Sequence, residues 1–279
     1  MPHAGDILVD MTLNNTTPHT IIIDQTCEGF GNYAAPRKLL FAGDIHGNAG
    51  HLDWVFRRAV TLGATDIVAC GDFGYWPHYT FGQEFLELAE VLTHDTGIIL
   101  WWVDGNHENH DLLDQLAAQH GTGAPIAVAG PDVRWIPRGC TVDFGGVTLM
   151  GFGGAYSIDW DMREPGVSYW EQELVTREQV DALMAQKVDI LVTHEAPQGM
   201  RLGHKDSVPE SVAQRDLVQE IQDKVQPALH VCGHHHVQAS WTNGGTEVRV
   251  LGRDGMNDLS VMLVDLAERF GATPSLEVV

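Results

Sequence analysis

The sequence predicts an α/β chain whose first half alternates buried strands with amphipathic helices and whose second half adds hairpins. Three observations carry this. Short apolar runs recur at 39–42, 67–70 and 98–103, each too short for a helix and bounded by turn residues. Residues with helical spacing fill the intervals between them. Later, Gly145-Gly146 joins two strand-like stretches, 141–144 and 147–150, as a hairpin with a two-residue turn.

Residues 1–36 read as an extension packed on the core. In it 7–9 and 20–23 form short strands parted by the turn-prone Asn14-Asn15-Thr16-Thr17-Pro18. Strand 39–42 leads into Gly43-Asp44-Ile45-His46-Gly47. Leu52, Val55, Phe56 and Ala59 then fall at i, i+3, i+4 and i+7, and Gly63 is placed to end that helix in a left-handed conformation. Strand 67–70 delivers Gly71-Asp72. Phe81, Phe85, Leu88 and Leu92 make the inward face of a second helix, stopped near Gly97. Strand 98–103 ends in Asp104-Gly105-Asn106-His107-Glu108, and Leu112, Leu113 and Leu116 face inward from a third helix.

Past the hairpin, Gly151-Phe152-Gly153-Gly154 is not a dinucleotide loop. It lacks the final spaced glycine, and no helical pattern follows it. Thr176 with Gln179 forms a capping box for a helix carrying Val180, Leu183 and Met184. Strand 190–192 delivers Thr193-His194. After a helix around Leu217, Val218 and Ile221, strand 229–232 delivers Gly233-His234-His235-His236. A hairpin over 241–250 turns at Asn243-Gly244-Gly245, and 259–265 is the last strand. With no repeat or low-complexity linker, one domain is expected over 37–279.

Composition narrows the chemistry. A net charge of −22 argues against non-specific binding to nucleic acid or to an anionic membrane. An acidic protein that handles phosphate needs a local positive charge, and bound metal supplies one. The cysteines Cys27, Cys70, Cys140 and Cys232 have no C-x-x-C spacing and read as buried free thiols of a reducing compartment. The N-terminus has no basic start and no long apolar core, so a soluble, cytoplasmic protein is expected.

Five strands each end in metal-ligating residue types: Asp44 and His46, Asp72, Asn106 with His107, His194, and His234 with His236. In open α/β architectures, sites form beyond the carboxyl ends of strands. Carboxylate, imidazole and amide oxygen without thiolate favour Mn, Fe or Zn over a structural zinc cluster. Asp72 has two oxygens and sits between the other groups in chain order, so it can bridge two ions. Two such ions, roughly 3.5–4 Å apart, clamp a phosphoryl displacement and make hydroxide available near neutral pH.

Together, Gly43-Asp44-Ile45-His46-Gly47, Gly71-Asp72, Gly105-Asn106-His107-Glu108, Thr193-His194 and Gly233-His234-His235-His236 resemble the signature of the calcineurin-like metallophosphoesterases. The resemblance spans 39 to about 265 and implies two packed mixed sheets flanked by helices, a four-layer αββα sandwich. It implies a catalytic domain over 37–279 holding two divalent ions, with Mn foremost and Fe, Zn or Mg as alternatives. One ion takes Asp44, His46, Asp72 and His236; the other takes Asp72, Asn106, His194 and His234. His107 is the non-ligand histidine that protonates the leaving oxygen or steadies phosphoryl charge.

One departure bears on substrate. Protein phosphatases of this family carry Gly-Asp-x-x-Asp-Arg-Gly, whereas here the run is Gly71-Asp72-Phe73-Gly74-Tyr75-Trp76, without that arginine. The segment from Gly154 to Asp159, with Arg163 and Ser168-Tyr169-Trp170, is similar to small stand-alone bacterial and phage members described mostly as phosphodiesterases. The expected activity is therefore hydrolysis of small phosphodiesters, with 2′,3′- or 3′,5′-cyclic nucleotides the first candidates. Attack by a metal-bridging hydroxide is in line, and His107 is the acid. A phosphomonoesterase is the alternative within the class, and a silent metal-bound docking module the alternative outside it.

Plainer roles are weighed for the neighbours. His235 points away from its flanking ligands by strand alternation. His51, His78, His110 and His204 read as surface histidines, His78 and His110 having the better claim to the rim. Glu108 orients a neighbour or meets solvent. Trp101 and Trp102 read as core, while Trp76 and Trp160 lie in loops where they can stack a base. Arg163 either clamps phosphate or forms an ordinary ion pair. Arg163, Trp76 and His78 are the expected substrate contacts.

Overall fold

The computed structural model describes residues 37–271. The readings of 1–36 and of Cys27 lie outside the described residues. The strands are β1 (Lys38–Ala42), β2 (Asp66–Ala69), β3 (Ile99–Trp102), β4 (Ile126–Ala129), β5 (Val133–Trp135) and β6 (Thr141–Asp143). They continue with β7 (Thr148–Phe152), β8 (Ile190–Thr193), β9 (Leu229–Cys232), β10 (Ala239–Asn243), β11 (Thr246–Val250) and β12 (Val261–Asp265). The helices are α1 (Ala49–Leu62), α2 (Thr80–Thr96), α3 (His110–His120), α4 (Arg177–Ala182), α5 (Pro209–Val225) and α6 (Leu266–Phe270).

Strand alternation decides the layering. Leu40 and Ala42 of β1 join Ile67, Leu100 and Trp102 in a core shared with Leu52, Val55 and Phe56 of α1 and Phe85 of α2. Their neighbours Leu39, Phe41, Val68, Ile99 and Trp101 point the other way, onto Leu149, Ile190, Val192, Leu229 and Val231. That second cluster is the filling between two sheets. On the far side Met150, Phe152 and Leu191 meet Val180 of α4 and Ile221 and Val225 of α5. The period of two in a strand thus separates one apolar run into two cores, and the layers run helix, sheet, sheet, helix.

Both sheets are six-stranded and mixed, ordered β12-β1-β2-β3-β5-β4 and β10-β11-β9-β8-β7-β6. In the first, β1, β2, β3 and β5 are parallel, with β12 and β4 antiparallel at the edges. In the second, β11, β9, β8 and β7 are parallel, with β10 and β6 antiparallel at the edges. Strands β2, β3, β8 and β9 are buried along their whole length, which is why they read as near-continuous apolar runs. The expected hairpins are present, closing at Gly145-Gly146 and, by the pairing of Asn243 with Thr246, at Gly244-Gly245.

Four features differ from the sequence reading. The β4–β5 pair has no counterpart in it. Phe81 is 57% exposed, because the inward position in the first turn of α2 belongs to Gly82, where any side chain would strike the Trp76 backbone. Met184 is exposed because α4 closes at Ala182 and Leu183 turns extended. His51 and His110 are buried, not on the surface. His51 stacks on Trp54, and His110 opens α3 beneath Trp170.

Candidate metal centre

Loops following β1, β2, β3, β8 and β9 converge at one end of the sandwich, and backbone bonds stitch them together. Ile45 and His46 both donate to the carbonyl of Asp72, at 3.1 and 2.6 Å, and Gly233 donates to that of His194 at 3.1 Å. The carboxylates organise the loops too. Asp72 Oδ1 accepts from the backbone N–H of Asn106 and of His107, both at 2.9 Å, while Asp44 Oδ1 accepts from that of His234 at 2.9 Å. Two glycines make this approach possible. A Cβ on Gly105 would overlap the Asp72 carboxylate, and one on Gly233 would overlap that of Asp44.

The remaining carboxylate oxygens face a ring of imidazoles. Asp72 Oδ2 lies 3.4 Å from His46 Nε2, 3.3 Å from His194 Nε2 and 4.0 Å from His107 Nε2. Asp44 Oδ2 is 3.0 Å from His236 Nε2 and 3.9 Å from His46 Nε2. His194 Nε2 is 3.1 Å from Asn106 Oδ1. His234 stands edge-on to His194 with ring centroids 5.0 Å apart. The floor, Asp44, Asp72, Asn106, His194 and His234, is buried, and His46, His107 and His236 form a partly exposed rim.

Each ligand-type side chain is aimed by a partner behind it. His194 Nδ1 is 2.8 Å from the carbonyl of Cys70, so its proton sits there and Nε2 faces inward. His46 Nδ1 is 3.1 Å from Asp254 Oδ1. Asn106 donates from Nδ2 to Ser157 Oγ at 2.9 Å, which turns its Oδ1 inward. Glu108, fully buried, accepts from the N–H of Gly74 and of Gly105, at 3.1 and 2.6 Å, joining the Asp72 loop to the Asn106 loop. His235 turns to Glu195 Oε1 at 2.7 Å, away from the centre.

Backbone strain is concentrated here. Among the described residues six non-glycines have positive φ, and four of them are His46 (53°), Asp72 (47°), His234 (64°) and His236 (55°). Such conformations cost energy and persist where surrounding structure imposes them.

Electrostatics follow the geometry. Burial opposes ionisation of Asp72, yet the His194 and His107 charges and bonds from His194 and His46 hold it well below the carboxylate range. Asp44 is lowered despite burial, mainly by His236 and His194. His46 is raised to about 9 and His194 to about 10 because Asp72 outweighs the burial of each ring. Burial and repulsion from Asp72 lift Glu108 to about 8. Burial and the Arg163 charge depress His107.

The donor set fits divalent cations. Three groups of ligand atoms lie mutually within 4.8 Å: Asp44-His46-His236, His46-Asp72-His107, and Asp44-Asp72-His194. Asp44 Oδ2 is buried without a hydrogen-bond partner, an expensive state for a carboxylate oxygen unless a cation takes it. The set is oxygen and imidazole nitrogen with no sulfur, matching Mn, Fe or Zn.

The expected substrate contacts fall on either side of His107. Arg163 donates from Nη1 to the carbonyl of Asn106 at 3.2 Å, and its Nη2 lies 3.0 Å from His107 Nε2. It also pairs with Asp159 at 2.7 Å and, at 4.0 Å, with the buried Glu173. Trp76 donates from its indole to the carbonyl of His107 and packs on Tyr79 and Phe81. His78 is exposed, its Nδ1 3.1 Å from Asn109 Nδ2.

Sequence reasoning missed Asp254, Ser157, Glu195 and Lys205. Asp254 lies in a loop four residues past β11, with no apolar run leading directly into it. Lys205 Nζ donates to the carbonyl of His234 at 2.6 Å and lies 3.1 Å from its Nε2. Nothing in the 200–208 loop marked it beyond the scarcity of lysine.

Comparison with known proteins agrees with this architecture. A family model described as calcineurin-like phosphoesterase matches residues 37–238. No functionally curated protein matches the chain. Among solved structures, TT1561 of Thermus thermophilus is 16% identical, covers 84% of this chain and 96% of its own, and superposes with a TM-score of 0.53. A dimetal phosphatase from Danio rerio is 12% identical over 78% of this chain and 88% of its own, with a TM-score of 0.48. The Mycobacterium tuberculosis phosphopantetheinyl hydrolase is 16% identical over 83% and 96%, with a TM-score of 0.44.

Proposed function

This chain belongs to the calcineurin-like phosphoesterase family, and from that premise we propose that it is a dimetal phosphodiesterase acting on small diesters. The observation that carries the reading is the convergence of Asp44, His46, Asp72, His194 and His236, with the buried Asp44 Oδ2 facing only imidazoles. Asp44, His46, Asp72 and His236 hold one divalent ion; Asp72, Asn106, His194 and His234 hold the second. His234 contributes through Nδ1, since its Nε2 is engaged by Lys205. When bound, the two ions supply Lewis acidity that makes hydroxide available near neutral pH and offsets charge on the phosphoryl oxygens. Manganese is the first candidate, with Fe, Zn and Mg behind it.

The protein groups do the rest. Asp72, held ionised, fixes the His107 backbone and so keeps its ring at the rim of the centre, Nε2 4.0 Å from Asp72 Oδ2. A guanidinium only donates, so His107 Nε2 accepts from Arg163 in the resting arrangement. An entering phosphoryl oxygen draws Arg163 off, and His107 is then able to carry the proton that the leaving alkoxide takes. Cyclic 2′,3′- and 3′,5′-nucleotides are the first substrates to test, because no arginine follows Asp72 to hold a phosphoserine.

The test is a panel of diesters and monoesters at equal loading, on protein reconstituted separately with Mn, Fe, Zn and Mg. Faster turnover of diesters, cyclic nucleotides included, is expected. Turnover of monoesters alone contradicts the reading.

A further inference from the structure

Resting on that reading, we propose that the cavity beside Arg163 receives the leaving group, and that this group is a nucleoside whose base carries an exocyclic amino group. The cavity encloses about 620 Å³, in the range of small-molecule sites. It lies beside the centre: Arg163 lines it and has its Nη2 3.0 Å from His107 Nε2. A leaving oxygen beside His107 therefore carries its substituent toward this space.

The walls select the substituent. Trp160 and Tyr169 form two sides, their ring centroids 6.2 Å apart and tilted by 44°. Trp160 is 48% exposed, held on a short 3₁₀ turn (Trp160–Met162), an open indole face suited to stacking a flat ring. Trp170 also lines the cavity; it is 3% exposed and its indole N–H is sealed from it. Asp161 and Glu171 line the cavity as well, and among the described residues neither carboxylate makes an ion pair. They accept from amino groups.

A π-face and an amino donor on one small molecule describe adenine, cytosine or guanine. Uracil lacks the amino group. A quaternary ammonium has no N–H to give these carboxylates and would stand beside the Arg163 guanidinium.

The direct test is titration of Mn-loaded protein with adenosine, cytidine and uridine, which carry no phosphate, followed by tryptophan fluorescence and calorimetry. Saturable binding of adenosine and cytidine is expected, about tenfold tighter than uridine, by the scale of a lost hydrogen-bonded pair. Trp160→Ala lowers adenosine affinity about tenfold or more, and Trp160→Phe largely retains it. Hydrolysis of bis(p-nitrophenyl) phosphate is measured alongside. If that diester is turned over while adenosine binds no better than uridine, or binds Trp160→Ala as well as wild type, the nucleoside pocket is overturned and the phosphodiesterase reading stands. If adenosine binds through Trp160 but no diester is hydrolysed, the pocket stands and the phosphodiesterase reading falls.

Discussion

At the scale of single residues, Asp72 and His107 separate structure from chemistry. Asp72 Oδ1 secures two backbone amides and its Oδ2 faces three imidazoles, so Asp72→Ala removes both the loop anchor and the bridge. Loss of metal content and of activity is expected, measured by elemental analysis beside turnover. His107→Ala leaves both proposed ligand sets whole. Metal content is retained, and turnover of a diester with an alkyl leaving group drops by about 10²–10⁴, the usual contribution of a positioned acid. A His107→Ala protein as fast as wild type on that diester removes the acid role. The convergence of Asp72, His107 and the other strand-end residues was legible because each follows the end of a strand. Asp254, Glu195 and Lys205 were not, since loops carry no periodicity and a side chain acting from behind a ligand leaves no spacing signal.

At the scale of elements, rigidity depends on a few buried polar ties between loops. Arg138, just past β5, donates from Nε and Nη2 to Asp104 Oδ2 at 2.9 and 2.7 Å, and to the carbonyls of Gln172 and Leu174 at 2.9 and 2.8 Å. Asp104 ends the β3 run that leads to Asn106, and Glu173 faces Arg163. One guanidinium thus ties the ligand loop to the segment holding the candidate substrate residue. Arg138→Ala strands a fully buried carboxylate, and a loss of about 3–5 kcal/mol in urea unfolding is expected. A loss under about 1 kcal/mol contradicts that role. The parallel strands β1, β2, β3, β8 and β9 were readable from their apolar runs, which a covered strand tolerates. The β4–β5 pair was missed because its strands are only four and three residues long, with β4 half exposed at a sheet edge.

At the scale of the whole molecule, two sets of histidines bias stability in opposite directions with pH. Burial pushes His230 down to about 3 and His110 to about 4, below the ordinary 6.5. The unfolded chain protonates these first, so their contribution is present above about pH 6.5 and lost as pH falls toward those values. In the metal-free protein His46 stands at about 9 and His194 at about 10. Their contribution is present below about pH 6.5 and lost as pH rises through 9 and 10. Stability of chelator-treated protein should therefore peak near neutrality and fall on both sides, read as the denaturation midpoint from pH 5 to 10. A steady rise to pH 10 contradicts the charged His46 and His194. The layered sandwich was legible in the sequence and its family resemblance. The loop-borne cavity at 160–172 was not, because its walls follow neither period.

No helix among the described residues is long and apolar enough to cross a membrane, and the organising feature of the molecule is the strand-end cluster. The most direct measurement is anomalous diffraction from crystals of Mn-loaded protein. Two anomalous peaks are expected, roughly 3.5–4 Å apart, with Asp72 between them, Asp44, His46 and His236 on one, and Asn106, His194 and His234 on the other. A single peak, or peaks that leave His194 or His236 without a metal, would contradict the dimetal centre.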